Sequence, residues 1–142
     1  SWGLDKLRDT AEYLAGRTPE YTFEDLKKIP GVGDYAAAAL GSLHGNKRAI
    51  LVDNNIVRMF SRIMGRAYGP ETRRAVWMRR LMEIVTPSED VRAFNYGILD
   101  VSRTVCLPTP LCSLCPVENV CCFVRASKGQ STDEGRAAGD TT

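Results

Sequence analysis

Residues 28–40 read KIPGVGDYAAAAL, and the break PGVG at 30–33 decides how the chain folds. Upstream, FEDLKKI places Phe23, Leu26 and Ile29 at helical spacing; downstream, DYAAAALGSLH is an alanine-rich run of strong helix formers. Pro30 has no N–H and disfavours continuation of the helix before it. Gly31 and Gly33 permit positive φ and carry no Cβ to obstruct a close visitor. The stretch predicts a tight hairpin whose backbone N–H groups open a new helix, where geometry and dipole both attract an anion. A DNA phosphate suits such a turn, because the contact needs no base identity. Pro30, Gly31, Val32, Gly33 and Asp34 form this predicted phosphate grip; a helix–turn–helix with no ligand is the competing reading.

Working outward, WGLDKLRDTAEYLAG has Leu4, Leu7, Ala11 and Leu14 at helical spacing, with Gly16 as a stop. Thr22 is a cap for a helix over 23–29, and the helix after the hairpin runs from about Asp34 to His44, with Gly45 ending it. NKRAILVD is a short extended connector. Asp53 then precedes a helix with Ile56, Val57, Phe60 and Ile63 on one face and Arg58 and Arg62 beside it. TRRAVWMRRLMEIV predicts one amphipathic helix over 72–85, ending before Pro87. SEDVRAFNYGILDVSRTV predicts a last long helix, capped by Ser88, with Val91, Phe94, Ile98 and Val101 inward. From Ala126 the residues are Gly, Ser, Thr, Asp and Ala in the main, a composition that predicts disorder. The fold class is all-α.

The 142 residues suffice for one domain with a real core, or two small halves sharing one. Apolar residues make up 44% and charged residues 25%, an ordinary globular balance. No apolar run approaches a membrane span and none resembles a secretory signal. Position 1 is Ser rather than Met, which points to a fragment or a trimmed chain. The formal charge of +2 says little about partners. Lys128 and Arg136 against Asp133, Glu134 and Asp140 leave the tail one unit negative and the rest three units positive. The many arginines before it read chiefly as solvated helix faces. His44, the sole histidine, reads as a surface residue without a role.

All five cysteines fall within 106–122. A disulfide framework spreads its cysteines along a small secreted chain, whereas this clustering points to a metal or cluster site in a reducing compartment. The pattern is Cys106-x5-Cys112-x2-Cys115-x5-Cys121, with Cys122 adjacent. Four thiolates in one compact loop suit a [4Fe–4S] cluster, and a tetrahedral zinc ion fits the same count.

IPGVGDYAAAAL resembles the helix-hairpin-helix of the DNA glycosylase superfamily that includes endonuclease III, adenine glycosylases and thymine mismatch glycosylases. In that family a catalytic aspartate lies eighteen residues beyond a position that is lysine in the bifunctional members. Here that position is Tyr35, and the residue eighteen further is Asp53. LVDNNIVRMFSRI resembles the family's Val-Asp-x-x-x-x-Arg stretch, and FNYGILDVSRTVC resembles the approach to its cluster. The resemblance covers about residues 3–124.

The resemblance implies two units. Residues 1–47 would be the C-terminal half of a helical barrel with the hairpin, and 48–124 a unit with the catalytic aspartate and the iron–sulfur loop. A disordered tail would occupy 125–142. It implies that Asp53 is the catalytic carboxylate, although an N-cap role alone would also explain its position. A carboxylate held by helix N–H groups stays ionised, as stabilisation of a developing sugar cation requires. A phenol cannot form the imine of a strand-cleaving lyase, so Tyr35 implies a monofunctional enzyme, unless it merely packs. Tyrosine there is most similar to the thymine and uracil mismatch glycosylases, acting on thymine or uracil opposite G. An adenine glycosylase acting opposite oxidised guanine, an endonuclease III-like lyase and a non-catalytic DNA-binding module are the alternatives. The resemblance favours a [4Fe–4S] cluster on Cys106, Cys112, Cys115 and Cys121 over zinc. The first gap has five residues where the family has six, and Cys122 is the other candidate fourth ligand. It further implies double-stranded DNA as partner, a cytoplasmic and nucleoid-associated protein, and a monomer at full length. Family members carry more chain ahead of residue 1, so an apolar face left uncovered and weak activity in isolation are expected.

Overall fold

A computed structural model describes residues 2–133, and among them every regular element is helical. The helices are α1 (Trp2–Leu14), α2 (Phe23–Leu26), α3 (Asp34–Leu43), α4 (Asn54–Ile63), α5 (Val76–Val85), α6 (Val91–Asp100) and α7 (Cys122–Asp133). Short 3₁₀ turns occupy Thr72–Arg74, Cys112–Leu114 and Glu118–Val120, and one π turn occupies Val101–Val105.

Two apolar clusters organise these elements. The smaller joins Leu26, Ile29 and Ala37 with Tyr13, Leu14, Val32 and Leu40, and so closes the hairpin onto the end of α1. The larger holds Leu51, Ile56, Val57, Met59, Phe60, Met78, Met82, Ile98 and Leu99 between α4, α5 and α6. Helix α3 serves both, turning Ala37 to the first and Ala38, Ala39 and Leu43 to the second. The predicted inward faces of α4 and α6 pack here, with Val91 and Ile98 buried and Phe94 and Val101 partly so. On α1 the apolar spacing does not become burial: Leu4 and Leu7 are each about two-thirds exposed.

Several predicted boundaries move. The helix expected over 23–29 closes at Leu26, with Lys28 and Ile29 continuing in turns. The helix expected over 72–85 is a 3₁₀ turn and then α5, separated by the extended backbone of Ala75. The last long helix begins at Val91 rather than near Ser88, after Asp90 in a left-handed conformation, and gives way to the π turn at Val101. The helix end at Gly45 has a different cause from the one expected: the positive φ belongs to Asn46. Gly45 is needed for proximity, since a Cβ there would lie 2.2 Å from Tyr21 Cβ. The segment assigned to a disordered tail from 125 carries α7 through Asp133; residues 134–142 lie outside the described residues. Val124 is buried, so α7 begins with a packed turn that polar composition alone does not reveal.

The connector between α3 and α4 has no ladder to hold it, and side chains do the work. Arg48 donates to the carbonyls of Glu83 (2.8 Å) and Thr86 (3.0 Å) at the end of α5. Asn95, fully buried on α6, donates to Ser42 Oγ on α3 and to the Ala49 carbonyl (3.0 Å). These bonds fix the path of 48–52 and with it the start of α4. Among the described residues no helix is long and apolar enough to cross a membrane.

Candidate active site

The hairpin is a tight turn between α2 and α3. Gly31 has φ +84°, a conformation that a Cβ would strain. Gly33 does not use that freedom: it is the extended N-cap of α3 at φ −83°. A Cβ built at Gly33 meets nothing within 4 Å, so the space in front of it is open. No side chain caps α3. Pro30 turns its carbonyl back to accept from Thr10 Oγ1 (2.6 Å), which ties the turn to α1. The Val32 N–H donates to the Ile29 carbonyl (3.1 Å) and its side chain packs inward, so Val32 builds the turn and its amide does not face outward. Asp34 is exposed and pairs with Lys27 across the hairpin at 2.7 Å.

In the first turn of α3, Tyr35 lies within electrostatic reach of Asp53. Asp53 is the N-cap of α4 as expected: its Oδ1 accepts the Ile56 N–H at 2.8 Å. Its other oxygen, Oδ2, accepts from the Arg103 guanidinium at 3.2 Å. The Asp53 side chain is 18% exposed and that of Arg103 52%. Arg103 also reaches the Tyr35 hydroxyl. Burial pushes the Tyr35 phenol above its ordinary pKa and the negative charge of Asp53 adds to this, while the charge and hydrogen bond of Arg103 pull it back. The phenol is therefore a neutral hydrogen-bonding group at neutral pH. Beside this trio an open groove is lined by Phe23, Asp34, Tyr35 and three arginines, Arg73, Arg74 and Arg79.

Arg103 is the functional candidate that sequence reasoning passed over. It enters the site from the π turn, fifty positions away from Asp53, and π turns recur at functional sites because the extra residue redirects side chains. No local pattern marks it.

The cysteine loop is stapled to α4 rather than left on a solvated surface. Arg58 donates to the Cys106 carbonyl (2.8 Å) and the Ser102 carbonyl (2.9 Å). Arg62 donates to the Leu107 carbonyl (2.6 Å) and the Pro108 carbonyl (2.8 Å), with Cys106 Sγ at 3.5 Å, and its guanidinium stacks 4.9 Å from the Phe123 ring centre. For these two arginines the solvated-face expectation fails. Cys106, Cys112, Cys115 and Cys121 line one small pocket with Met59, Ile63, Pro110 and Val124. Cys122 turns elsewhere, against Gly65. The thiols are free. Burial raises the Cys112 pKa, followed by the charges of Cys121, Cys115 and Cys106, and Arg62 lowers it. Among the described residues no three His, Cys, Asp or Glu side chains converge closely enough to grasp one metal ion. The four thiols surround a space rather than a point, and soft thiolates around an apolar pocket are a donor set that fits an iron–sulfur cluster.

No family model matches the chain. A thymine/uracil-DNA glycosylase of Pyrobaculum aerophilum is 39% identical over 103 residues, which are 69% of this chain and 45% of the relative. The human adenine DNA glycosylase is 35% identical over 120 residues, 80% of this chain and 21% of the relative. Among solved structures, a thermostable thymine-DNA glycosylase superposes with a TM-score of 0.72 at 30% identity, covering 86% of this chain and 58% of that one. The chain spans about half the length of the thymine glycosylases it matches. In sequence and in fold the chain matches the helix-hairpin-helix DNA glycosylase superfamily.

Proposed function

We propose that this chain is part of a helix-hairpin-helix DNA glycosylase that excises a mismatched base from double-stranded DNA by hydrolysis, with thymine or uracil opposite G as the favoured substrate. The observation that supports it most is the setting of Asp53, an N-cap carboxylate with one oxygen fixed by α4, the other bonded to Arg103, and its charge felt by the Tyr35 phenol. Relatives named thymine/uracil-DNA glycosylase support the choice of base.

The chemistry follows from the charges. As the N-glycosidic bond breaks, positive charge develops on the sugar and the electron pair leaves with the base. The Asp53 carboxylate stabilises that charge and orients a water for attack at C1′. Tyr35 has no amine with which to form an imine, so the product is an abasic site with the strand intact. The uncapped start of α3 at Gly33 and Asp34 and the open space at Gly33 suit a backbone phosphate, with Pro30, Gly31 and Val32 shaping the turn. That grip holds the distorted duplex while the target nucleotide leaves the stack, which costs a few kcal/mol and least at a mismatch.

Cys106, Cys112, Cys115 and Cys121 would hold a [4Fe–4S] cluster, with zinc as the alternative. When bound, the cluster supplies a covalent cross-link between distant points of the loop. Arg62 and Arg58 hold the loop backbone from α4. Iron and acid-labile sulfide assays on anaerobically purified protein decide between the two.

A panel of duplexes carrying G·T, G·U, A opposite oxidised guanine and oxidised pyrimidines tests the function. Base release from G·T and G·U, seen as strand scission after alkali with no borohydride-trapped adduct, is expected. Release of A alone would make it an adenine glycosylase, a reading that the human relative supports. A trapped adduct would make it a lyase.

A further inference from the structure

The contact between Arg103 and Asp53 sets a problem for the proposed chemistry. Asp53 has two oxygens. Oδ1 is committed to the Ile56 N–H, a bond that α4 requires, and Oδ2 is committed to Arg103. Each oxygen keeps a second lone-pair site, but a water or a sugar at Oδ2 has to share that oxygen with the guanidinium. The guanidinium also places positive charge where the sugar is to become positive, and so offsets the field that Asp53 should supply.

Three features favour movement of the arginine. Arg103 is half exposed, whereas Asp53 is mostly buried and anchored, so the arginine is the partner free to move. Ion pairs with a half-exposed member are weak. The arginine also touches Tyr35, which lies in the first turn of α3 and lines the groove of Arg73, Arg74 and Arg79. Anionic backbone drawn into that groove arrives beside Arg103, and a guanidinium that pairs bidentately with phosphate has a better partner there.

We infer that Arg103 is a gate on Asp53: it covers Oδ2 in the DNA-free protein and transfers to a backbone phosphate when the duplex seats, releasing the carboxylate only in the complex. This rests on the glycosylase reading above. Arg103 is a positioning residue, acting through Asp53 and through phosphate.

Binding to a non-cleavable G·T duplex across a salt series reads the transfer directly. Each phosphate contact contributes about 0.9 to the slope of log K against log salt. Arg103→Met is expected to lower the slope by about 0.9, and Arg103→Lys to keep it. Asp53→Asn leaves Arg103 unpaired in the free protein, so it should bind severalfold more tightly than the parent. Adding Arg103→Met should abolish that gain. A slope identical in parent and Arg103→Met would overturn the gate. So would a gain from Asp53→Asn that survives in the double variant, because it would then reflect general repulsion. Binding that behaves as expected without base release from any duplex would unseat the glycosylase reading and leave the phosphate transfer standing. No salt-dependent binding by the parent would end both.

Discussion

Replacing Asp53 with Asn separates a structural role from a chemical one. The side chain does two things: it caps α4 through Oδ1 at 2.8 Å, and it carries a negative charge paired with Arg103 at 3.2 Å. Asn caps helices about as well as Asp, so the first role survives at a cost of at most a few tenths of a kcal/mol. The lost ion pair involves a half-exposed arginine and is worth about 0.2–1 kcal/mol. Asp53→Asn should therefore lower Tm by no more than about 6 °C. The charge is another matter. Removing one fixed group that stabilises transition-state charge costs about 3–4 kcal/mol, a fall in rate on the order of a hundred- to a thousandfold. Asp53→Ala loses the cap as well, adding about 1 kcal/mol of instability with little further loss of rate. Thermal melts together with single-turnover excision from a G·T duplex measure both quantities. An Asn variant that retains more than about a tenth of the parent rate, next to an Ala variant that is merely less stable, would show that Asp53 is a cap and nothing else.

The Tyr35 phenol should titrate above its ordinary value of 10.0 when ultraviolet absorbance is compared with Tyr35→Phe. Arg103→Met should raise it further, and Asp53→Asn should bring it down. Because the folded value lies above the unfolded one, the neutral phenol's contribution to stability is complete below pH 10.0 and is lost as pH rises through the folded value, which melts in alkali would reveal. Arg62→Ala leaves the Leu107 and Pro108 carbonyls without their donor and should cost about 1–3 kcal/mol, with faster amide exchange across 106–121; Lys should rescue poorly, since one ammonium cannot reproduce the fork. Gly45→Ala drives a methyl into Tyr21 and should lower stability by about 1–3 kcal/mol in a denaturant melt.

The parts of this molecule that were legible in its sequence are those fixed by near neighbours. Thr22 and Asp53 cap their helices through bonds to residues three positions on, and that spacing is visible in a string of letters. The inward faces of α4 and α6 follow from periodicity. What escaped depends on distant partners or on local geometry without a signature. Arg58 and Arg62 look like a polar stripe, because nothing in the spacing says that carbonyls of an irregular loop lie opposite. The break at Ala75 has neither glycine nor proline to announce it. Asn95 reads as a polar interruption of α6, yet it is the fully buried bracket that holds the connector leading to Asp53. Arg103 needed both the fold and the π turn to be seen.

That π turn joins two places that otherwise have little to do with each other. Its carbonyl at Ser102 is gripped by Arg58 on α4, its side chain at Arg103 reaches the acid at the head of the same helix, and its last bond leads into Cys106. A π turn amounts to one surplus residue in an α-helix, and each helical residue turns the chain by about 100°. Deleting a single residue between 101 and 105 would regularise the helix and yet swing everything after the deletion by roughly a quarter turn. The length of that short segment acts as a phase setting shared by the aspartate and the sulfur-rich loop, so insertions and deletions there should be far less tolerated than substitutions.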